Sequence, residues 1–303
     1  MNNRAMLARA ILDALAYSDI FDYPLRLDEL HRYLPLHAAA DELPEALASL
    51  NGQVGRQDGF YFLGNRAEVV EIRREREARS KQMLPLAMRY GRVLGSFPFV
   101  RMVALTGSLA AGNAADGADF DYMLVTAPGR LWTARAFAVT FGRVMRPLGH
   151  VVCVNLLVTE KALAWSRHDL YTAREFCQMI PVAGLDVHQR LMRANRWTKE
   201  FLPNAETDRS QQEYVLTQPP ALRSFLELPL CGRLGDILEK WLMKLQLRRI
   251  ARRSGAGEET VFTADVCQGN FHHHRKRTQE AFEKQLSAIE ALLPLEHCRK
   301  KET

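Results

Sequence analysis

Apolar residues recur at helical spacing from the start of the chain: Leu7, Ile11, Ala14 and Leu15 share one face of Met6 to Tyr17, and Ser18-Asp19 with Tyr23-Pro24 end the run. The same spacing predicts a second short helix over Leu25 to Leu34 and a third over Leu43 to Leu50. Gly52 to Leu63 alternates around Gly55 and Asp58-Gly59 and predicts a hairpin. From Arg66 to about Lys81 the acids and bases stand at i, i+4 distances, the pattern of a solvated helix, and Pro85 is expected to begin or kink a second helix running to Gly95. Val100 to Leu105, Phe120 to Val125 and Val151 to Val158 are β-rich, with a helical stretch from Arg130 to Met145 between the last two. Beyond Thr159 the pattern is helical at Ala173–Met179, Val187–Phe201, Ile237–Ile250 and Thr278–Leu293, with strand character only at Val261-Phe262. Loop signals stand at Glu206 to Gln212, Pro219-Pro220 and Ser254 to Gly257. The expectation is an α+β chain of three segments: helices and a hairpin over 1–65, a small mixed-sheet core over 66–160, and a helical domain over 161–303.

Composition narrows this little: 47% hydrophobic and 25% charged residues among 303 are ordinary for a chain with a sizeable core. No apolar run approaches the roughly 18 residues of a membrane-spanning helix, and the first residues carry no export signal. The reading therefore places the chain in the cytoplasm with no membrane partner. Five widely spaced cysteines with no C-x-x-C pair read as reduced thiols. The net charge of +6 points to an anionic partner, and its distribution matters more than its total. Residues 1–64 hold five arginines against nine acids, net −4, whereas residues 240–303 hold thirteen bases against eight acids, net +5. Three helices and a hairpin describe a winged-helix-like unit, yet its third helix region, Asp41-Glu42-Leu43-Pro44-Glu45, carries three acids. Repulsion from phosphate argues against DNA as a partner.

Chemistry concentrates in Thr106-Gly107-Ser108-Leu109-Ala110-Ala111-Gly112-Asn113 and, seven residues after Gly112, Asp119-Phe120-Asp121. Carboxylates two apart on a strand share a face, which suits a divalent cation that takes one or two carboxylates together with phosphate oxygens. A Gly-Ser turn after a strand lets backbone approach a phosphate, and a following helix aims its N–H groups at the anion. Gly107, Ser108 and Gly112 are the candidate nucleotide contacts; Asp119 and Asp121 are the candidate catalytic and metal-binding groups.

In this order and context the two motifs resemble the nucleotidyltransferase superfamily typified by DNA polymerase beta, whose signature is an apolar residue, Gly, Gly or Ser, a spacer, then Asp-apolar-Asp/Glu. The resemblance is strongest over 96–160 and implies a minimal nucleotidyltransferase core. More weakly, Tyr17 to Pro24 and Ala194 to Asn204 look like a group of bacterial nucleotidyltransferase-domain proteins with a winged-helix front end. It implies transfer of a nucleoside monophosphate from a triphosphate, supported by Mg2+ or Mn2+, to a small-molecule or protein acceptor.

There are departures. Ala111 and Ala118 stand where many members have Arg and Ser. The strand that usually brings a third carboxylate reads Val151-Val152-Cys153-Val154-Asn155-Leu156-Leu157-Val158, so Asn155 is the candidate third metal ligand, and an amide takes no proton. Glu160 ranks second for that position. The alternatives are a catalytically weakened nucleotide sensor and, below it, a winged-helix DNA-binding regulator. Lys240, Lys244, Arg248 and Arg249 are candidate contacts to a triphosphate tail or acceptor, and His272-His273-His274 reads as a surface or anion-contacting cluster.

Overall fold

A computed structural model describes residues 3–50, 52–205, 225–252, 259–269 and 273–292. The chain is α+β and divides into two compact units. One takes the residues up to Arg73 with Leu202–Ala205 and the segment from His274; the other takes Arg74–Phe201 and the residues between Glu206 and His273.

The first unit holds α1 (Asn3–Asp19), α2 (Leu27–Arg32), α3 (Leu43–Ser49) and the antiparallel pair β1 (Val54–Gln57) and β2 (Phe60–Leu63), joined at Asp58-Gly59. These elements lie where the apolar pattern predicts them. Leu25, between α1 and α2, bridges to Tyr61 of β2. The core is Ile11, Leu12, Leu15, Leu25, Leu30, Leu34 and Leu43, onto which the last helix, α11 (His274–Leu292), sets Phe282, Leu286 and Ile289. The Tyr17 to Pro24 stretch has a structural task here. Arg66 donates to Asp19 and Asp22 at 2.7 Å each, Gln285 donates to the second oxygen of Asp19, and Arg73 lies 3.6 Å over the Tyr23 ring.

The long α4 (Glu68–Gly95) is one helix with Pro85 inside it, where two helices are predicted. Proline removes one N–H from the ladder, and burial of Ala87 and Leu94 beyond it keeps the helical course.

The second unit is built on a six-stranded mixed sheet, order β6-β3-β4-β5-β8-β7, of β3 (Val100–Thr106), β4 (Phe120–Thr126), β5 (Val152–Thr159), β6 (Ile180–Ala183), β7 (Thr260–Phe262) and β8 (Val266–Gly269). Among the described strands only β4 and β5 run parallel, joined by the crossover helix α6 (Leu131–Met145). Residues 161–303 are therefore not a helical domain of their own: they supply three of the six strands. These strands are three or four residues long, too short for period-two alternation to show, and Ile180-Pro181-Val182-Ala183 is buried throughout. Further helices are α5 (Gly107–Ala110), α7 (Leu170–Gln178), α8 (Leu185–Ala194), α9 (Thr198–Phe201) and α10 (Arg233–Ile250). The sequence loop signals at 206–212, 219–220 and 254–257 lie outside the described residues.

Period two sorts the strands between two cores. Val103, Leu105, Phe120, Tyr122 and Leu124 pack with α4, α6 and α10, whereas Met102, Ala104, Met123, Val125 and Val158 pack with α7 and α8 through Phe176, Val187 and Leu191. Asp121, two residues before Met123, belongs to the second face. The turn after α8 is held by Asn195, fully buried, whose side-chain oxygen accepts from Trp165 N and Trp197 Nε1 and whose Nδ2 donates to Leu163 O and Leu191 O. That accounts physically for the Asn in the Ala194 to Asn204 stretch. Asn195→Ala leaves two buried donors and two carbonyls without their partner, so it is expected to lower unfolding free energy in urea by on the order of 3 kcal/mol. An unchanged midpoint would show that water replaces the amide.

Candidate functional site

The last residue of β3, Thr106, pairs with Asp121 near the start of β4, so the Gly-Ser turn and the aspartate pair meet at one end of the sheet. Gly107 has φ +68°, and a methyl group added there would lie 2.6 Å from Asp121 Oδ2. Glycine is required twice over, by the left-handed backbone and by the carboxylate filling the place of a side chain. Ser108 is exposed in the single turn of α5, and Gly112 ends that turn at φ +68° with open space around it. The helix after the turn is four residues long, so the anion-binding capacity expected of a helix reduces to first-turn N–H groups with little dipole behind them. Asn113 N donates to Ser108 O, and α4 holds the loop beyond it: Arg76 reaches Asn113, Arg79 donates to Ala114 O, and Ser80 Oγ accepts from Ala114 N.

Asn155 Nδ2 donates to Asp121 Oδ1 at 2.6 Å, so the residue predicted for the third position does reach one of the two aspartates. The reason differs from simple alternation. Val154 pairs with Tyr122 and Leu156 with Met123, which leaves Asn155 as the extra residue of a bulge. Val154 and Leu156, which plain period-two alternation would set on one face, consequently pack into opposite cores.

Burial pushes the Asp121 carboxyl up to about 6; the neighbouring Asp119 adds to the rise and the Asn155 amide opposes it. Asp119 is also raised, by burial. A third carboxylate comes from a residue the sequence pattern did not single out. Glu175, on α7 over the same face, is pushed up to about 7 by burial and then by the charge of Asp121. Part of the Glu175 residue surface remains accessible while its carboxyl group is enclosed, and the carboxyl governs its protonation. A glutamate inside the amphipathic pattern of Ala173–Met179 carries no local signal; only the packing of α7 onto the sheet brings it within electrostatic reach of Asp121.

Three acidic groups thus interact electrostatically, and an added cation would reverse the rise in their pKa values. That fits a divalent ion. Among the described residues no group of three or more His, Cys, Asp or Glu side chains forms a ready-made cage, and two carboxylates completed by phosphate oxygens is a way Mg2+ is commonly held.

Other predicted contacts lie elsewhere. Glu160 pairs with Arg190, and its N–H bonds Thr126 O at the far end of β4. Lys240, Lys244, Arg248 and Arg249 are on α10, which packs on the face opposite the aspartates. His273 precedes α11 and His274 opens it, while His272 lies outside the described residues.

No protein-family model matches the chain, and neither a curated protein nor a solved structure does.

Because the folded-state pKa of Asp121 is raised from 3.8 to about 6, its contribution to stability is complete below pH 4 and is lost as pH rises through 6. Asp121→Asn should therefore stabilise the metal-free protein above pH 6, by on the order of 2 kcal/mol, with the advantage vanishing towards pH 4. Urea denaturation in a chelator at both pH values measures this, and a pH-independent difference would contradict the assigned cause.

Proposed function

We propose that this protein is a metal-dependent nucleotidyltransferase moving a nucleoside monophosphate from a nucleoside triphosphate to a small-molecule or protein acceptor. The observation that carries the reading is the contact of Gly107 with Asp121, which makes the Gly-Ser turn and the Asp-x-Asp strand one site. Those are the two motifs of the nucleotidyltransferase superfamily typified by DNA polymerase beta, on adjacent strands and in the same order. The parallel β4-α6-β5 crossover beside them supports a core of that kind.

In this reading Asp119 and Asp121 hold Mg2+ or Mn2+, with Asn155 fixing the Asp121 carboxylate and offering an amide oxygen as a further ligand. When bound, the metal supplies charge neutralisation at the phosphates. The backbone of Gly107 and Ser108 receives phosphate oxygens, and Arg76 and Arg79, on α4 against the adjoining loop, supply positive charge for the triphosphate tail. Glu175, with a pKa of about 7, takes the proton of the acceptor hydroxyl as that oxygen attacks the α-phosphorus and the bond to pyrophosphate breaks. This fills the proton-acceptor role that Asn155 cannot.

The second reading, a nucleotide sensor with little turnover, is favoured by the amide at position 155. The first unit supports neither directly. Its order of helix, bridged residue, two helices and hairpin is compatible with a winged-helix-like unit, and Asp41, Glu42 and Glu45 are exposed along the start of its third helix.

Asp119→Asn and Asp121→Asn should each abolish metal-supported triphosphate binding and pyrophosphate release with the fold retained, as read by calorimetry and circular dichroism. Glu175→Gln should keep triphosphate affinity and slow turnover by about 10²–10⁴-fold. Parent protein that binds triphosphate with metal and never releases pyrophosphate would select the sensor. For the segment 1–65, net −4, no measurable affinity for duplex DNA is expected at physiological salt; tight binding with a steep salt slope would promote the regulator.

A further inference from the structure

α10 presents a face that the site chemistry does not use. Its inner side is fixed by polar contacts: buried Glu239 accepts from Trp132 N, Thr133 N and Thr133 Oγ1, and Gln246 Nε2 donates to Trp132 O. Arg130 ties the preceding turn to the helix, bonding Leu230 O and pairing with Asp236 at 2.7 Å. Gly235 lies so close to Leu230 O that no side chain fits between them.

On the outer side Leu234, Ile237 and Trp241 are 75%, 66% and 58% exposed, and Phe225 and Leu228 before the helix are each 70% exposed. Spacings of three and four put the first three on one line along the helix, and Arg248 continues that line at its last turn. Arg233, Lys240 and Lys244 flank it, all exposed, and the exposed acid of the helix, Asp236, is already paired with Arg130. Large apolar side chains therefore project from the helix beside a row of cations.

We propose that this face docks on an anionic lipid bilayer, α10 lying in the interface with Leu234, Ile237 and Trp241 below the headgroups and Lys240, Lys244 and Arg248 among their phosphates. Among the described residues no helix is long and apolar enough to cross a membrane, so the contact is peripheral. The chemistry favours lipid over a second copy of the chain, since a two-fold interface would set the same basic side chains against one another. Protruding Phe, Leu, Ile and Trp side chains need no complementary groove in lipid, and Trp prefers the level where headgroups meet hydrocarbon.

The test is flotation of the full chain with phosphatidylcholine vesicles, with and without phosphatidylglycerol, at low and high salt. Expected are association with the anionic vesicles at least tenfold stronger than with the neutral ones, loss of that preference at high salt, and a blue-shifted tryptophan emission. Lys240→Gln and Lys244→Gln should each weaken binding about fivefold. Changing Leu234, Ile237 and Trp241 together to Ser should abolish binding while thermal unfolding stays that of the parent. If the triple variant misfolds, the two lysine variants decide. Absence of vesicle binding, equal binding to neutral vesicles, or unaltered binding by the folded triple variant would overturn the proposal. So would self-association that needs Trp241, or capture on polyglutamate, when no vesicle binding accompanies it.

Discussion

Where a side chain would stand on Gly107, the chain holds the carboxylate of Asp121. The left-handed glycine lets β3 turn away immediately after Thr106, so the β3-β4 ladder runs up to the aspartate. A larger residue would drive the strands apart or expel the carboxylate. Burial and the charge of Asp119 make this aspartate costly to ionise, and its own charge raises Glu175 in turn, a cost that a site for a cation and phosphates turns to use. The bulge at Asn155 serves the same carboxylate from the other neighbouring strand.

Stability is supplied on the other face of the sheet. There Trp132 and Tyr122 are fully buried, Tyr122 donates to Ala87 O at 2.6 Å, and Glu239 and Gln246 complete the polar ends of α6. Arg101 forms a two-pronged pair with Glu227, which also accepts from Phe99 N. Glu239, Gln246, Tyr122 and Glu227 all find hydrogen-bond partners there, whereas burial and neighbouring acids raise the carboxyl groups around Asp121. The contrast is the usual division between a satisfied scaffold and a strained site. It also explains why α10 contributes to the fold through its inner side and leaves its basic, apolar outer side available.

The Tyr17 to Pro24 and Ala194 to Asn204 stretches, which drew attention as sequence, serve architecture. Asp19, Asp22 and Tyr23 bind arginines of the following segment, and Asn195 saturates a buried turn. Polar residues that recur for such reasons are as distinctive in sequence as catalytic ones, because a buried hydrogen bond tolerates few replacements.

By itself the sequence determined the elements whose signal is local: the three N-terminal helices, the hairpin turning at Asp58-Gly59, the central strands β3, β4 and β5, and the pairing of Gly107-Ser108 with Asp119 and Asp121 as one constellation. Helical and strand periods and turn residues act within a few positions, so they can be read along the chain. Tertiary structure alone decided that Pro85 lies within one helix, that β6, β7 and β8 join the central sheet, and that α10 stands away from the aspartates. It alone brought Glu175 within electrostatic reach of Asp121 and aimed Asn155 through a bulge. Each of these depends on which distant segment packs against which, and short buried strands or a glutamate inside an amphipathic helix carry no periodic signal of the partner they will meet.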